Sequence, residues 1–225
     1  YKHFDLSIAK QLLKDSWPLI FSAIVVMIYM RIDQIMIKEM LGEYEVGIYS
    51  AAVRLSEAFY FIPMLITASL FPAILNAKNQ SDELYKQRLQ RLYTFMVWFA
   101  IAIALPMTFL SDWLILLLFG QAYQEAGQVL MIHVWSMPFV FLLVASGKWF
   151  IAEGLARMAL YRNLSAAFLN VVLNIIFIPI YGVVGAAIST LLAFFMAAYF
   201  FDILSTLTRK QFLLKTNSIF FKGLL

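Results

Sequence analysis

The sequence predicts an all-α, multi-pass membrane protein in which about six transmembrane helices pack as one bundle. Three observations carry this. Of the 225 residues, 63% are hydrophobic and 13% charged, against roughly 45–50% and 25% in a soluble domain. The apolar residues gather into stretches that reach the ~20 residues a helix needs to cross a bilayer. Lysine and arginine crowd into alternate connectors. With both termini in the cytoplasm, 14 of the 17 fall in cytoplasmic segments, the bias that sets orientation.

Residues 1–15 read as an amphipathic helix on the membrane surface, with Leu6, Ala9, Leu12 and Leu13 on one face and Lys10 and Lys14 elsewhere. Residues 16–205 hold the bundle. The first span covers 17–37, and Pro18 suits its first turn. The second covers 46–72, with Pro63 as a candidate kink. A polar connector, 76–91, leads to a third span at 92–110, where Pro106 is another candidate kink. Ser111 and Asp112 then read as the N-cap of a short apolar helix, 113–119, stopped by Gly120. The fourth span, 127–147, contains Pro138, and a second basic connector follows at 148–162. The fifth span, 164–180, turns tightly through Pro179–Gly182 into the sixth, 183–205. Residues 206–225 read as a basic cytoplasmic tail or the start of a further segment. The chain opens on Tyr1 instead of Met, so a piece of a longer protein is expected.

Composition also excludes. With no cysteine, thiol and disulfide chemistry are absent, and the residues suggest neither a metal centre nor a cofactor. The net charge of +4 resides mostly in connectors, which argues against nucleic acid as a partner. A membrane enzyme needs a carboxylate or histidine constellation on a water-facing loop. The loops offer only Asp82–Glu83 and an isolated Glu153.

The chemistry concentrates in the hairpin from Trp17 to Pro72. Its first arm is apolar except for Arg31, Asp33 and Gln34, and its second except for Arg54 and Glu57. A charge at membrane depth costs at least ~2.5–3.5 kcal/mol, so it normally meets a partner or a wet cavity. Arg54 and Glu57 are three apart and share a helix face. Arg31 and Asp33 are two apart and point about 200° from one another. Gln34 shares the face of Arg31, so Arg31 and Gln34 are the expected cavity-facing pair. An arginine fork suits phosphate or sugar hydroxyls. Asp33 or Glu57 could bind a coupling proton or sodium ion. The alternative is an internal Arg–carboxylate network that locks the first two spans together.

Further along, Asn170 and Asn174 lie four apart on the fifth span and either bond across to a neighbouring helix or contact sugar. Gly182, Gly185, Ala186, Ala187 and Ser189 make a small-residue surface suited to close helix packing. His133, alone in the fourth span, reads as a packed or hydrogen-bonded residue. Lys148 and Glu153 lie near the cytoplasmic end of the fourth span, where they could meet an anionic headgroup as it enters or anchor the helix as snorkelling side chains. Asp202 is expected to reach the interface. The basic connectors also suit anionic lipid headgroups.

Several stretches in order carry a resemblance: Ser16-Trp17-Pro18-Leu19, then Arg31-Ile32-Asp33-Gln34-Ile35-Met36, then Val46–Glu57, then Leu70-Phe71-Pro72-Ala73-Ile74. Leu118-Phe119-Gly120, Asn170-Val171, Leu173-Asn174, Ile178-Pro179, Tyr181-Gly182 and Val184–Thr190 follow. Together they resemble the start of the C-terminal half of the polysaccharide flippases, of O-antigen and capsule type, in the MOP superfamily. The resemblance implies two helical bundles around a central cavity with alternating access. It implies movement of undecaprenyl-pyrophosphate-linked oligosaccharide from the inner to the outer leaflet of a bacterial or archaeal plasma membrane. This chain would supply one bundle, and an N-terminal bundle or second subunit the other. A multidrug exporter of the same superfamily and a non-transporting scaffold are the alternatives.

Overall fold

The structure, a computed structural model, describes residues 6–220. These form eight α-helices and no strand: α1 (Leu6–Leu41), α2 (Glu43–Glu57), α3 (Phe61–Lys78), α4 (Asp82–Phe119), α5 (Ala126–His133), α6 (Met137–Ala152), α7 (Ala156–Ala198) and α8 (Arg209–Ile219). Five segments are long and apolar enough to cross a membrane: Ser16–Leu41, Glu43–Lys78, Asp82–Phe119, Ala126–Ala152 and Ala156–Ile203.

The fifth segment folds back on itself as two arms. A straight helix would hold Asn170 and Thr190, twenty residues apart, at ~30 Å. Instead Asn170 Nδ2 donates to Thr190 Oγ1 at 3.3 Å. α7 folds back at Gly182, whose φ of 60° and ψ of −142° belong to a region only glycine enters freely. Its arms, 156–181 and 183–198, run antiparallel. Just past the turn, Gly185 approaches the other arm so closely that a Cβ would sit 2.2 Å from the Phe177 carbonyl oxygen. Gly185, Ala186, Ala187 and Ser189 are all buried, as a small-residue packing surface requires.

Proline places the breaks in the other spans. Pro63 has no N–H and its ring crowds the carbonyl of Phe59. The helix gives way at residues 58–60, one turn upstream of the proline, and Ile62 N–H turns to Phe59 O at 3.1 Å. Pro138 acts alike at the start of α6, and Val134–Ser136 tightens into a 3-10 turn. Pro106 lies inside α4 without such a break.

Four expectations are corrected. α1 is continuous from Leu6, with Pro18 inside it, so residues 6–15 belong to the same helix as the span Ser16–Leu41 instead of folding as a helix of their own. Residues 1–5 and 221–225, which complete the expected surface helix and tail, lie outside the described residues. Ser111 and Asp112 begin no new helix. Ser111 Oγ donates to Thr108 O at 3.2 Å, the back-bond of a mid-helix serine, and α4 runs on until Gly120 stops it at φ 83°. Residues 148–162 are not a connector: α6 extends to Ala152, Gly154 turns the chain at φ 69°, and α7 begins at Ala156. Arg162 therefore lies inside α7, buried, its Nη1 donating to Ser146 Oγ at 2.9 Å and its guanidinium over the Phe150 ring.

Asp202 does not reach the interface. It is fully buried under α8, where Lys215 Nζ donates to its Oδ2 at 2.7 Å and to Ala198 O, at the C-terminus of α7, at 2.6 Å. Gln211 Oε1 accepts from Tyr93 Oη at 2.5 Å, and Gln90 Nε2 donates to Leu214 O and Ser218 Oγ at 2.9 Å. These bonds fasten α8 onto α4. Burial pushes the Lys215 ammonium down to about 8, with Asp202 opposing the shift.

The two ends of the bundle differ in charge. One gathers the start of α1, the α3–α4 and α6–α7 turns and α8, with Lys78, Lys86, Arg157, Arg209 and Lys210. The other gathers the turns at Gly42, Gly120 and Gly182, with Glu39, Glu43, Glu45, Asp112 and Glu125. Among the described residues its cation is Lys38, which pairs with Glu43 at 3.0 Å.

Gly185→Ala is expected to cost about 1–3 kcal/mol through overpacking, seen as a lower thermal midpoint of the purified protein. Gly47→Ala, whose Cβ would meet Tyr123 at an ordinary 3.8 Å, should leave that midpoint unchanged. Lys215→Met strands a buried carboxylate and should cost about 3–5 kcal/mol, most of it recovered in Lys215→Met/Asp202→Asn. The folded pKa of Lys215 lies below its ordinary 10.5, so the unfolded chain binds more protons between those values. Stability contributed by this group then rises with pH above about 8. Wild-type thermal midpoints should gain on the double variant from pH 8 to 10.

Candidate functional site

Helix geometry divides the charges of α1 as the 200° argument requires. Asp33 points inward and is 3% exposed. Arg31 points outward with its side chain 57% exposed. Gln34 is half-buried on the Arg31 side.

Asp33 is the centre of a buried polar cluster. Tyr49 Oη on α2 donates to its Oδ2 at 2.8 Å, and Thr190 Oγ1 on the second arm of α7 donates to the same oxygen at 2.5 Å. Asn174 Nδ2, on the first arm, donates to Oδ1 at 2.5 Å. The same amide reaches Asn170 Oδ1 at 3.3 Å, and Asn170 Nδ2 reaches Thr190 Oγ1. Asn170 and Asn174 thus bond across to neighbouring helices, one of the two roles open to them, and they do so around Asp33.

All the partners of Asp33 are neutral. No Lys or Arg pairs with it among the described residues. A carboxylate out of water is costly unless it is paired and hydrogen-bonded. Three donors satisfy its oxygens but leave its charge uncompensated. Asn174 Oδ1 is buried with no hydrogen-bond partner. A carboxylate, two hydroxyls and amide oxygens at one point are the donor set of a proton or a small hard cation.

The outward face is different. Arg31 Nη2 meets Glu57 Oε2 at 3.8 Å across α1 and α2, with Glu57 19% exposed. Arg54 is exposed on the same side of α2 as Glu57, and has no ion pair among the described residues. An Arg–carboxylate contact therefore does link the first two spans, while two guanidinium groups stay accessible beside it. Just behind this face, Ser56 Oγ meets His133 Nδ1 at 2.7 Å, and the His133 ring stands edge-on to Tyr49. His133 is the hydrogen-bonded core residue its isolation suggests.

Lys148 and Glu153 are not part of either group. Lys148 is exposed near the end of α6. Glu153 accepts from Lys78 Nζ at 2.7 Å and Tyr85 Oη at 3.1 Å, so it joins two turns of the basic end.

Tyr49, Thr190 and the Asp202–Lys215 pair were missed by sequence reasoning. For the first two a signal existed. Residues 33 and 49 lie nine and seven from Gly42, and 174 and 190 each lie eight from Gly182. Residues at similar distances on either side of a tight helical turn come to the same level.

The chain is thus an all-helical, multi-pass membrane protein, one bundle with a buried polar centre and a charged face at membrane depth. It belongs to the MatE family, within the MOP superfamily: the family profile matches residues 18–176. The capsular polysaccharide biosynthesis protein CapF of Staphylococcus aureus is 23% identical over 198 residues, covering 87% of this chain and 50% of CapF. The probable flippase AglR of Haloferax volcanii is 31% identical over 175 residues, covering 74% of this chain and 36% of AglR. The fold matches the lipid II flippase MurJ in its inward closed conformation with a TM-score of 0.70 at 18% identity, over 98% of this chain and 49% of MurJ. The chain spans half or less of the length of these relatives.

Proposed function

We propose that this chain forms the C-terminal bundle of a flippase that carries undecaprenyl-pyrophosphate-linked oligosaccharide from the inner to the outer leaflet for surface polysaccharide synthesis. The observation that carries the reading is the face on α1 and α2 that holds exposed Arg31 and Arg54 beside half-buried Glu57. Exposed charges at membrane depth face water or protein instead of lipid, so they suit one wall of a cavity whose other wall is a second bundle. Two accessible guanidinium groups match a pyrophosphate, and Gln34 adds a hydrogen-bonding group for sugar. The reading is supported by the names of CapF, a capsular polysaccharide biosynthesis protein, and of AglR, a probable flippase. The process is transport, with no bond made or broken by the chain.

Asp33 couples the movement. Its neutral cage suits a proton or sodium ion, whose binding would compensate the carboxylate and strengthen the join between α1, α2 and both arms of α7. Glu57, already facing Arg31, is then part of the substrate wall. Orientation follows from the basic end, which lies in the cytoplasm by the positive-inside bias and puts both termini there.

In the intact protein, Arg54→Ala is expected to lower oligosaccharide export roughly tenfold or more, as loss of a charge-assisted hydrogen bond implies, with unchanged membrane abundance. Abundance falling in step with export would make Arg54 structural. Asp33→Asn keeps the shape of the cage and removes the charge. Export by this variant should no longer respond to an imposed proton or sodium gradient. A wild-type gradient response would rule out Asp33 as the coupling group.

A further inference from the structure

A cleft of about 600 Å³ opens at the basic end, between the α3–α4 turn, the end of α6 and α8. Its floor is formed by buried aromatic rings, Tyr85 and Trp149. Leucines continue the floor outward, from buried Leu89 to exposed Leu207 and Leu213. The rim is charged. Lys78 is paired with Glu153, and Asp82 sits in the first turn of α4, where the helix dipole favours a carboxylate. Lys86 and Lys210 also line the cleft, from α4 and α8, and neither has an ion pair among the described residues.

This frame is held in place. Lys215 bonds to Asp202 and Ala198, and Gln211 to Tyr93, so the outward residues of α8 keep a set distance from α4. Two ammonium groups without an ion pair among the described residues line the same cleft as leucines and an indole, at the end of the candidate spans, where the boundary between water and hydrocarbon would lie. Aromatic residues favour that boundary, and basic residues there attract anionic headgroups. The occupant that matches both halves of the cleft is an amphiphile with a negative head.

We propose that this cleft binds the phosphate of an anionic lipid of the cytoplasmic leaflet between Lys86 and Lys210, with its chains along Leu207 and Leu213. The assignment to that leaflet rests on the orientation given above; the site itself is separate from the Arg31–Arg54 face. A phosphate head occurs both on membrane phospholipids and on polyprenyl-pyrophosphate carriers, and the cleft offers the same groups to either.

The test is native mass spectrometry of the intact protein in detergent, titrated with phosphatidylglycerol, phosphatidylcholine or undecaprenyl pyrophosphate. Phosphatidylglycerol should bind the wild type more tightly than zwitterionic phosphatidylcholine. Lys86→Gln/Lys210→Gln should weaken phosphatidylglycerol binding roughly 30-fold, about fivefold per lysine. Lys86→Arg/Lys210→Arg should retain binding, as should Lys38→Gln at the opposite end. If undecaprenyl pyrophosphate displaces phosphatidylglycerol in a lysine-dependent way, the cleft receives the carrier lipid; if it does not, the cleft holds a membrane phospholipid. Equal binding of phosphatidylcholine, or an unchanged affinity in the double glutamine variant, overturns the proposal. Binding is read without transport, so that result leaves the flippase reading standing, and loss of gradient-driven export leaves the cleft standing.

Discussion

The carboxylate of Asp33 joins parts of the chain that are far apart in sequence. A charge withdrawn from water needs partners, and those available are a tyrosine on α2, an asparagine on the first arm of α7 and a threonine on the second. Each can reach Asp33 only if α1, α2 and both arms of α7 lie side by side. The bond geometry thus demands two tight reversals, one at Gly42 and one at Gly182, both of which carry positive φ. Turning Asp33 inward turns Arg31 outward, since the two are about 200° apart on the same helix. The inner polar cluster and the outer charged face are consequences of one helix phase.

The interruptions in the spans fall beside this centre. α2 ends at Glu57, directly before the break that Pro63 imposes. α5 ends at His133, directly before the 3-10 turn that Pro138 imposes. The Ser56–His133 bond joins the two interrupted helices at their last turns. Broken helices are tolerated at membrane depth only where protein or water satisfies the freed backbone groups, and here both breaks lie against other helices. At the basic end a different device holds the structure. Lys215 reaches from α8 to the C-terminus of α7, neutralising Asp202 and meeting a carbonyl where the helix dipole welcomes a cation.

Much of the site was legible because charges are rare in apolar helices. Arg31, Asp33, Gln34, Arg54 and Glu57 were conspicuous against 63% hydrophobic residues, and helical phase alone separated Arg31 from Asp33. Asn170 and Asn174 were conspicuous for the same reason, but their destination was not, since a hydrogen-bonding amide does not specify its partner. Tyr49 and Thr190 are common residue types in such spans and stood out only once the two turns were placed. Arg162 was read as a connector charge and Lys215 as a tail charge because charge density, averaged along the chain, cannot tell a side chain facing water from one buried against other helices.

By itself the sequence determined the class, the tight reversals near Gly42 and Gly182 and the segregation of charge between the two ends, because bilayer thickness, helix rise and glycine stereochemistry act locally. It also determined which charges would need an explanation. Tertiary structure decided which of them were buried, which partners met them, and where a helix continued through residues that favour a cap. Those outcomes depend on contacts between segments as much as 157 residues apart, as between Asp33 and Thr190. Local propensity carries no term for that contact. The burial of a carboxylate does, because it costs free energy unless such contacts pair it.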